Sequence, residues 1–140
     1  MIGYLLDASG LWHLLRTPAV MAAWADHIAA GALRVCEPTR VEFLYSATGP
    51  AHRDELAGEL DDLCAVAPVP RNGWRWVDNA QYKLTQKGQH RGPGPIDLLI
   101  CATAVHHGLT VLHVDRDFAT VADVLPELQQ RDVRTSRAHE

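Results

Sequence analysis

The sequence predicts an α/β fold: a three-layer α/β/α sandwich whose central sheet is mostly parallel and covered by helices on both faces. Two observations carry this. Along the 140 residues, short apolar runs of strand type alternate with longer segments of helical period, the order expected of parallel strands joined by crossover helices. Two of the runs, Tyr4-Leu5-Leu6 and Thr110-Val111-Leu112-His113-Val114, end in an aspartate, Asp7 and Asp115. Parallel strands would deliver both carboxylates to one carboxyl edge, where open α/β sheets hold their ligands.

The elements follow in order. Residues 3–7 read as a short buried strand. Ser9 can cap a helix over about 10–16 that carries Leu11, Trp12, Leu14 and Leu15. Thr17 caps and Pro18 opens the next helix, whose stripe of Val20, Met21, Trp24 and Ile28 has a period near 3.6 and stops at Gly31. Leu33 to Cys36 is a second strand, and Pro38 opens a helix with Val41, Glu42, Leu44 and Tyr45. After the break at Gly49-Pro50 comes a helix with Leu56, Leu60 and Leu63 at core spacing, then a short strand at Ala65-Val66-Ala67. Residues 72–87 form an amphipathic helix with Trp76, Ala80 and Leu84 on one face. The stretch KGQHRGPGP, Lys87 to Pro95, is a turn or loop. An apolar helix runs from about Ile96 to Gly108, strand 110–114 follows, and a helix covers about 118–125. Val133-Arg134 supplies an edge strand, and the last few residues form a frayed tail.

At 140 residues this is a single domain, 1–140, large enough for a true core. The formal charge of −4 does not advertise nucleic-acid binding, although a local basic patch can coexist with an acidic total. Cys36, Cys64 and Cys101 are odd in number, widely spaced and set among apolar neighbours, which excludes a zinc ribbon and a disulfide framework. Free thiols fit a reducing cytosol, so a cytoplasmic location is expected. The opening residues turn acidic too soon for a signal peptide, and nothing is long enough to span a membrane.

Four acids can be brought together by this topology: Asp7, Glu42, Asp97 and Asp115. Taken singly, each has an ordinary role, as a cap, a solvated helix position or a turn residue. Asp97 stands in the first turn of its helix, and reaches the catalytic edge only if loop 88–95 carries the chain back across the sheet. Together they repel one another, so a fold tolerates them only with a cation or shared protons between them. Oxygen-only ligands favour Mg2+ or Mn2+. Other chemistries lack their residues. His106 and His107 are adjacent and point apart, His113 packs or pairs within its strand, and Ser9 has no histidine at motif spacing. No phosphate-binding GxxxxGK[ST] or GxGxxG occurs.

These residues resemble a known family. Leu6-Asp7-Ala8-Ser9, Glu42 in the helix after the second strand, Pro95-Ile96-Asp97-Leu98 with its apolar continuation, and Leu112-His113-Val114-Asp115-Arg116-Asp117-Phe118 are similar, in order and separation, to the four motifs of PIN-domain ribonucleases of the VapC toxin type. The resemblance extends over residues 3–134. It implies a PIN-like sandwich and a Mg2+- or Mn2+-dependent endoribonuclease, the toxin of a type II toxin–antitoxin pair. It also implies a homodimer, a cognate antitoxin whose C-terminal segment wraps the toxin, and a structured RNA substrate such as tRNA or rRNA. Asp7, Glu42, Asp97 and Asp115 match the catalytic acids, and Asp117 an additional one, so that Asp7, Asp97, Asp115 and Asp117 would hold metal. Ser9 matches a small hydroxyl residue that orders the first motif.

The chemistry of the residues agrees. A carboxylate-lined pocket repels a phosphodiester unless a divalent ion inverts the field. With water as nucleophile, the products would be a 5′-phosphate and a 3′-hydroxyl. RNA contacts are expected from Ser9, Lys83, Lys87, His90, Arg91 and Arg116, with Trp74 or Trp76 able to stack on a base and Trp76 better suited to the core. Apolar side chains on the helices over 10–30 and 38–63 suggest a groove for an antitoxin segment. Two other classes fit the same acids: a non-catalytic PIN-like module that binds RNA or protein, and a metal-dependent phosphohydrolase of small nucleotides.

Overall fold

A computed structural model describes residues 2–135, so the expected frayed tail lies outside the described residues. Five strands form one sheet: β1 (Tyr4–Leu6), β2 (Leu33–Val35), β3 (Ala65–Val66), β4 (Thr110–His113) and β5 (Gln129–Asp132). Their spatial order is β3-β2-β1-β4-β5, and each neighbouring pair is parallel. The first strand is therefore central, which explains why all three of its residues are buried. Tyr4 pairs with Leu33 on one side and Thr110 on the other.

Side chains of a strand alternate between faces, and this splits the core in two. Leu5, Val111 and Cys36 belong to one buried cluster with α6 (Gly73–Gln86), α7 (Pro95–His107) and α8 (Arg116–Val124). Tyr4, Leu6, Leu33, Val35 and Leu112 belong to the other. That second cluster takes side chains from α1 (Ala8–Arg16), α4 (Glu37–Tyr45) and α5 (Pro50–Leu63), together with Trp24 from the bend between α2 (Pro18–Ala23) and α3 (Ala25–Ala29). Each fully buried leucine contributes roughly 1.5–3 kcal/mol, so the two layers hold the sheet from both sides. Among the described residues, no helix is long and apolar enough to cross a membrane.

Three elements differ from expectation. The cap of α1 is Asp7, whose side chain accepts from Gly10 N, so Ser9 sits inside the first turn. The single helix expected over 18–30 bends at Trp24 (φ −100°, ψ 4°). That indole is buried, stacks edge-on against Tyr4 at 4.9 Å and donates to Val133 O at 2.9 Å, which draws it out of helical register. The edge strand lies at Gln129–Asp132 instead of Val133–Arg134. Val133 N still donates to His113 O, while Asp132 turns its carboxylate to Arg134. A polar edge strand gives no apolar alternation to read.

Candidate active site

The carboxyl ends of the two central strands make the site. Asp7 follows β1, is only 5% exposed, and accepts from Gly10 N at 2.8 Å as the cap of α1. Ser9 Oγ donates to the same carboxylate at 2.8 and 3.0 Å and accepts from Val114 N at 3.0 Å. One hydroxyl thus ties the turn after β1 to the turn after β4. Asp115 caps α8 by accepting from Asp117 N at 2.9 Å. Its own N–H donates to His113 Nδ1 at 2.9 Å, and His113 Nε2 lies 2.6 Å from Gln130 Oε1. Because Nδ1 accepts, Nε2 carries the proton and donates to Gln130. His113 therefore orients the backbone at Asp115 as well as packing in its strand.

Asp97 enters from α7. Its Oδ2 accepts from Gly94 N at 3.2 Å, the reach-back contact of a helix start. Loop 87–94 does return the chain to the carboxyl edge of the sheet. An added Cβ at Gly92 would stand 3.0 Å from Asp117 Oδ1, so the loop lies directly against that acid. Asp97, Asp115 and Asp117 each present a carboxylate oxygen within 4.8 Å of the others. Asp7 lies outside that triad but is close enough to act on it electrostatically.

The charges register this crowding. Burial pushes the Asp97 carboxyl up to about 6, assisted by repulsion from Asp115, Asp7 and Asp117 and opposed by Gly94 N. Burial raises Asp7 as well, offset by Gly10 N and the Ser9 hydroxyl. Asp117 is raised by desolvation and by Asp115, with Arg116 pulling the other way. The donor set is all oxygen, and a cation would relieve the repulsion, so the residues fit a hard divalent ion.

Of the expected acids, the structure clusters Asp97, Asp115 and Asp117, with Asp7 near enough to repel Asp97. Glu42 is exposed on α4 and stands apart from the triad, but it lines with Asp97 a cavity of about 850 Å³. Apolar side chains of Val41, Tyr45, Val69, Ile96 and Leu99 form much of the rest of its wall. Lys83, Lys87, His90, Arg91 and Arg116 are exposed, Lys87 at the end of α6 and Arg116 at the start of α8. Trp76 packs against the core while Trp74 is 56% exposed. The three cysteines are free and buried, and burial drives Cys64 up to about 12, so these thiols are inert.

Sequence reasoning did not pick out Gly10 and Gly92. A Cβ on Gly10 would lie 2.4 Å from Leu112 O, so this glycine lets α1 sit against β4. Its one local signal is its place three residues after the strand-end aspartate.

The chain is similar to known proteins in sequence and in fold. The profile of the PIN domain family matches residues 4–124. Ribonuclease VapC6 of Mycobacterium tuberculosis (strain H37Rv) is 40% identical over 98 residues, covering 70% of this chain and 77% of that protein. Ribonuclease VapC2 of Mycobacterium tuberculosis (strain CDC 1551) is 37% identical over 132 residues, covering 91% of each. Among solved structures, VapBC2 from Rickettsia felis, bound to a DNA fragment from its promoter, superposes with a TM-score of 0.73 at 15% identity over 94% of this chain and 98% of that one. At that identity the likeness is one of fold.

Proposed function

The chain belongs to the PIN domain family, and from that premise we propose that it is a Mg2+- or Mn2+-dependent endoribonuclease toxin neutralised by a cognate antitoxin. The observation that carries the reading is the triad of Asp97, Asp115 and Asp117, oxygens within 4.8 Å, at the carboxyl edge of a parallel sheet. A binding module has no need of such a repulsive cluster. Relatives named ribonucleases, similar over most of this chain, support the substrate class.

Asp97, Asp115 and Asp117 would hold the ion, with Asp7 behind them. A divalent cation bound there supplies charge neutralisation toward the phosphate and a more acidic water. The protein's own groups do the rest. Ser9 and Gly10 fix Asp7, so its charge points into the site without a side-chain search. His113 holds the backbone of Asp115, and Gly94 holds the carboxylate of Asp97. Glu42, which lines the same cavity as Asp97, would orient or deprotonate an attacking water. Arg116, Lys87 and Arg91 would meet the flanking phosphates. Ser9, whose hydroxyl is occupied by Asp7 and Val114, acts by positioning. Hydrolysis by water leaves a 5′-phosphate and a 3′-hydroxyl.

Two partners are part of the proposal. Val41, Tyr45 and Ile96 are 66%, 90% and 46% exposed around the cavity, and a second copy of the chain joined there would cover them. The antitoxin segment is assigned to α1 and α2. Of the large apolar side chains on the helices over 10–30 and 38–63, Leu11, Trp24, Phe43, Leu44, Leu56 and Leu60 are buried, and Trp12, Leu15, Val20 and Met21 remain partly accessible.

The test is direct. With Mg2+ or Mn2+ the purified chain should cleave RNA and its thermal midpoint should rise, and EDTA should abolish both effects. No cleavage and no change of midpoint at millimolar metal would leave the enzyme reading without support.

A further inference from the structure

Charge is segregated along this chain. Residues 37–63, which hold α4 and α5, contain seven acids and two arginines. Residues 71–91, which hold α6 and the start of the following loop, contain five basic residues (Arg71, Arg75, Lys83, Lys87, Arg91) and one acid, Asp78. All five are exposed, and none forms an ion pair among the described residues. The segment thus carries a net charge of +4 in a protein whose total is −4, with Asp78 as its one acid.

The same helix exposes two large aromatic rings. Gly73, Val77, Ala80 and Leu84 bury one side of α6. Trp74 and Tyr82 stand on the other, 56% and 65% exposed. They are eight residues apart, so they follow one another along a single side of the helix, with Asp78 between them. Neither makes a ring contact with another described aromatic group. Basic residues interleaved with exposed aromatics are what a single strand of nucleic acid needs: cations for its phosphates and π-faces for its unpaired bases. This track is continuous with the acids, because the carboxyl end of α6 leads through Gln89 to Gly92, which lies against Asp117.

We infer that the outer face of α6 is a binding track for a single-stranded segment of the RNA substrate, with Trp74 and Tyr82 stacking on its bases and Arg75, Lys83 and Lys87 meeting its phosphates. The inference rests on the ribonuclease reading above and adds to it the form of RNA that is accepted: the cleaved bond is flanked by an unpaired stretch. Duplex RNA hides the base faces that the two rings take, so it binds this helix only through charge.

The experiment is fluorescence anisotropy with a labelled single-stranded RNA oligonucleotide, in EDTA so that cleavage does not intervene. The same strand annealed to its complement serves as the duplex probe. Trp74→Ala and Tyr82→Ala should each weaken single-strand binding about fivefold or more, the loss of one stacked base. Trp74→Phe and Tyr82→Phe should keep most of it. Lys83→Ala should lower the slope of log affinity against log salt by about one phosphate. Alanine variants that bind as tightly as the unaltered chain, or equal affinity for duplex and single strand, overturn the track. So does a drop in molecular mass by light scattering with RNA affinity unchanged, which would make this face a contact between copies. Cleavage by the unaltered chain is followed in parallel. Cleavage that ignores the α6 variants defeats the track alone, whereas ring-dependent binding without any metal-dependent cleavage defeats the enzyme reading alone.

Discussion

Asp97 is the residue on which metal, protons and stability meet. Its carboxyl sits near 6 when folded, against 3.8 when unfolded, chiefly through burial. Between those values the folded chain holds more protons than the unfolded one, so metal-free stability increases as pH falls from about 6 toward 4. Above 6 the full cost of the ionised group is present. Asp97→Asn removes that cost while its amide oxygen can still accept from Gly94. The variant should be more stable at neutral pH without metal by roughly 1–2 kcal/mol, allowing for solvent screening at a half-open group. Its gain on acidification should be smaller than that of the unaltered chain, and the difference between their midpoints at pH 5 and 7 checks this. Cleavage should drop at least about a hundredfold, about 2.7 kcal/mol of barrier. At this scale the aspartates were legible because strand ends and helix starts mark where a carboxylate emerges. The Ser9 contact was not, since its acceptor role is toward Val114, 105 residues away.

Elements hold the aspartates in place through one narrow contact. α1 approaches β4 at Gly10, where an added methyl would overlap Leu112 O at 2.4 Å and crowd His113 Cα at 3.2 Å. Backbone atoms cannot swing aside as a side chain does. Gly10→Ala should cost roughly 2–3 kcal/mol in urea unfolding, and should weaken metal binding by parting Asp7 from Asp115. Gly58 is the contrast: it is exposed within α5, with nothing within 4 Å of an added Cβ. Gly58→Ala should stabilise by roughly 0.5–1 kcal/mol. A neutral Gly10→Ala would show that the helix–strand approach is not what aligns the site. Elements with a clear apolar period or an unbroken apolar run were readable in advance, β1 and α7 most plainly by their runs. The bend at Trp24 was not, because it arises from a bond to Val133, 109 residues along the chain. Nor was β5, an edge strand of polar sequence that is defined by its neighbour.

For the whole molecule, the layering was legible and the surface was not. The unbroken apolar runs of β1 and β4 call for helices on both faces, but a count of apolar residues does not say which stay uncovered once both faces close. The accessible remainder on α1 and α2 gives the antitoxin prediction its target. Met21→Asp should weaken capture of the cognate antitoxin at least about tenfold while leaving metal-dependent RNA cleavage within about twofold, read by co-purification and by the cleavage assay. Capture that survives this change moves the antitoxin to another face.

The central place of β1 also sets the timing of activity. Its partner on one side, β4, begins at Thr110, more than a hundred residues after Tyr4. Two of the three triad acids, Asp115 and Asp117, are made later still. During synthesis the triad therefore cannot form before β4 and the turn after it have been made, and a fragment that ends ahead of Thr110 should cleave no RNA. A toxin whose first strand waits for its fourth gathers its acids only after Asp117 has emerged, an interval in which an antitoxin already present can meet it.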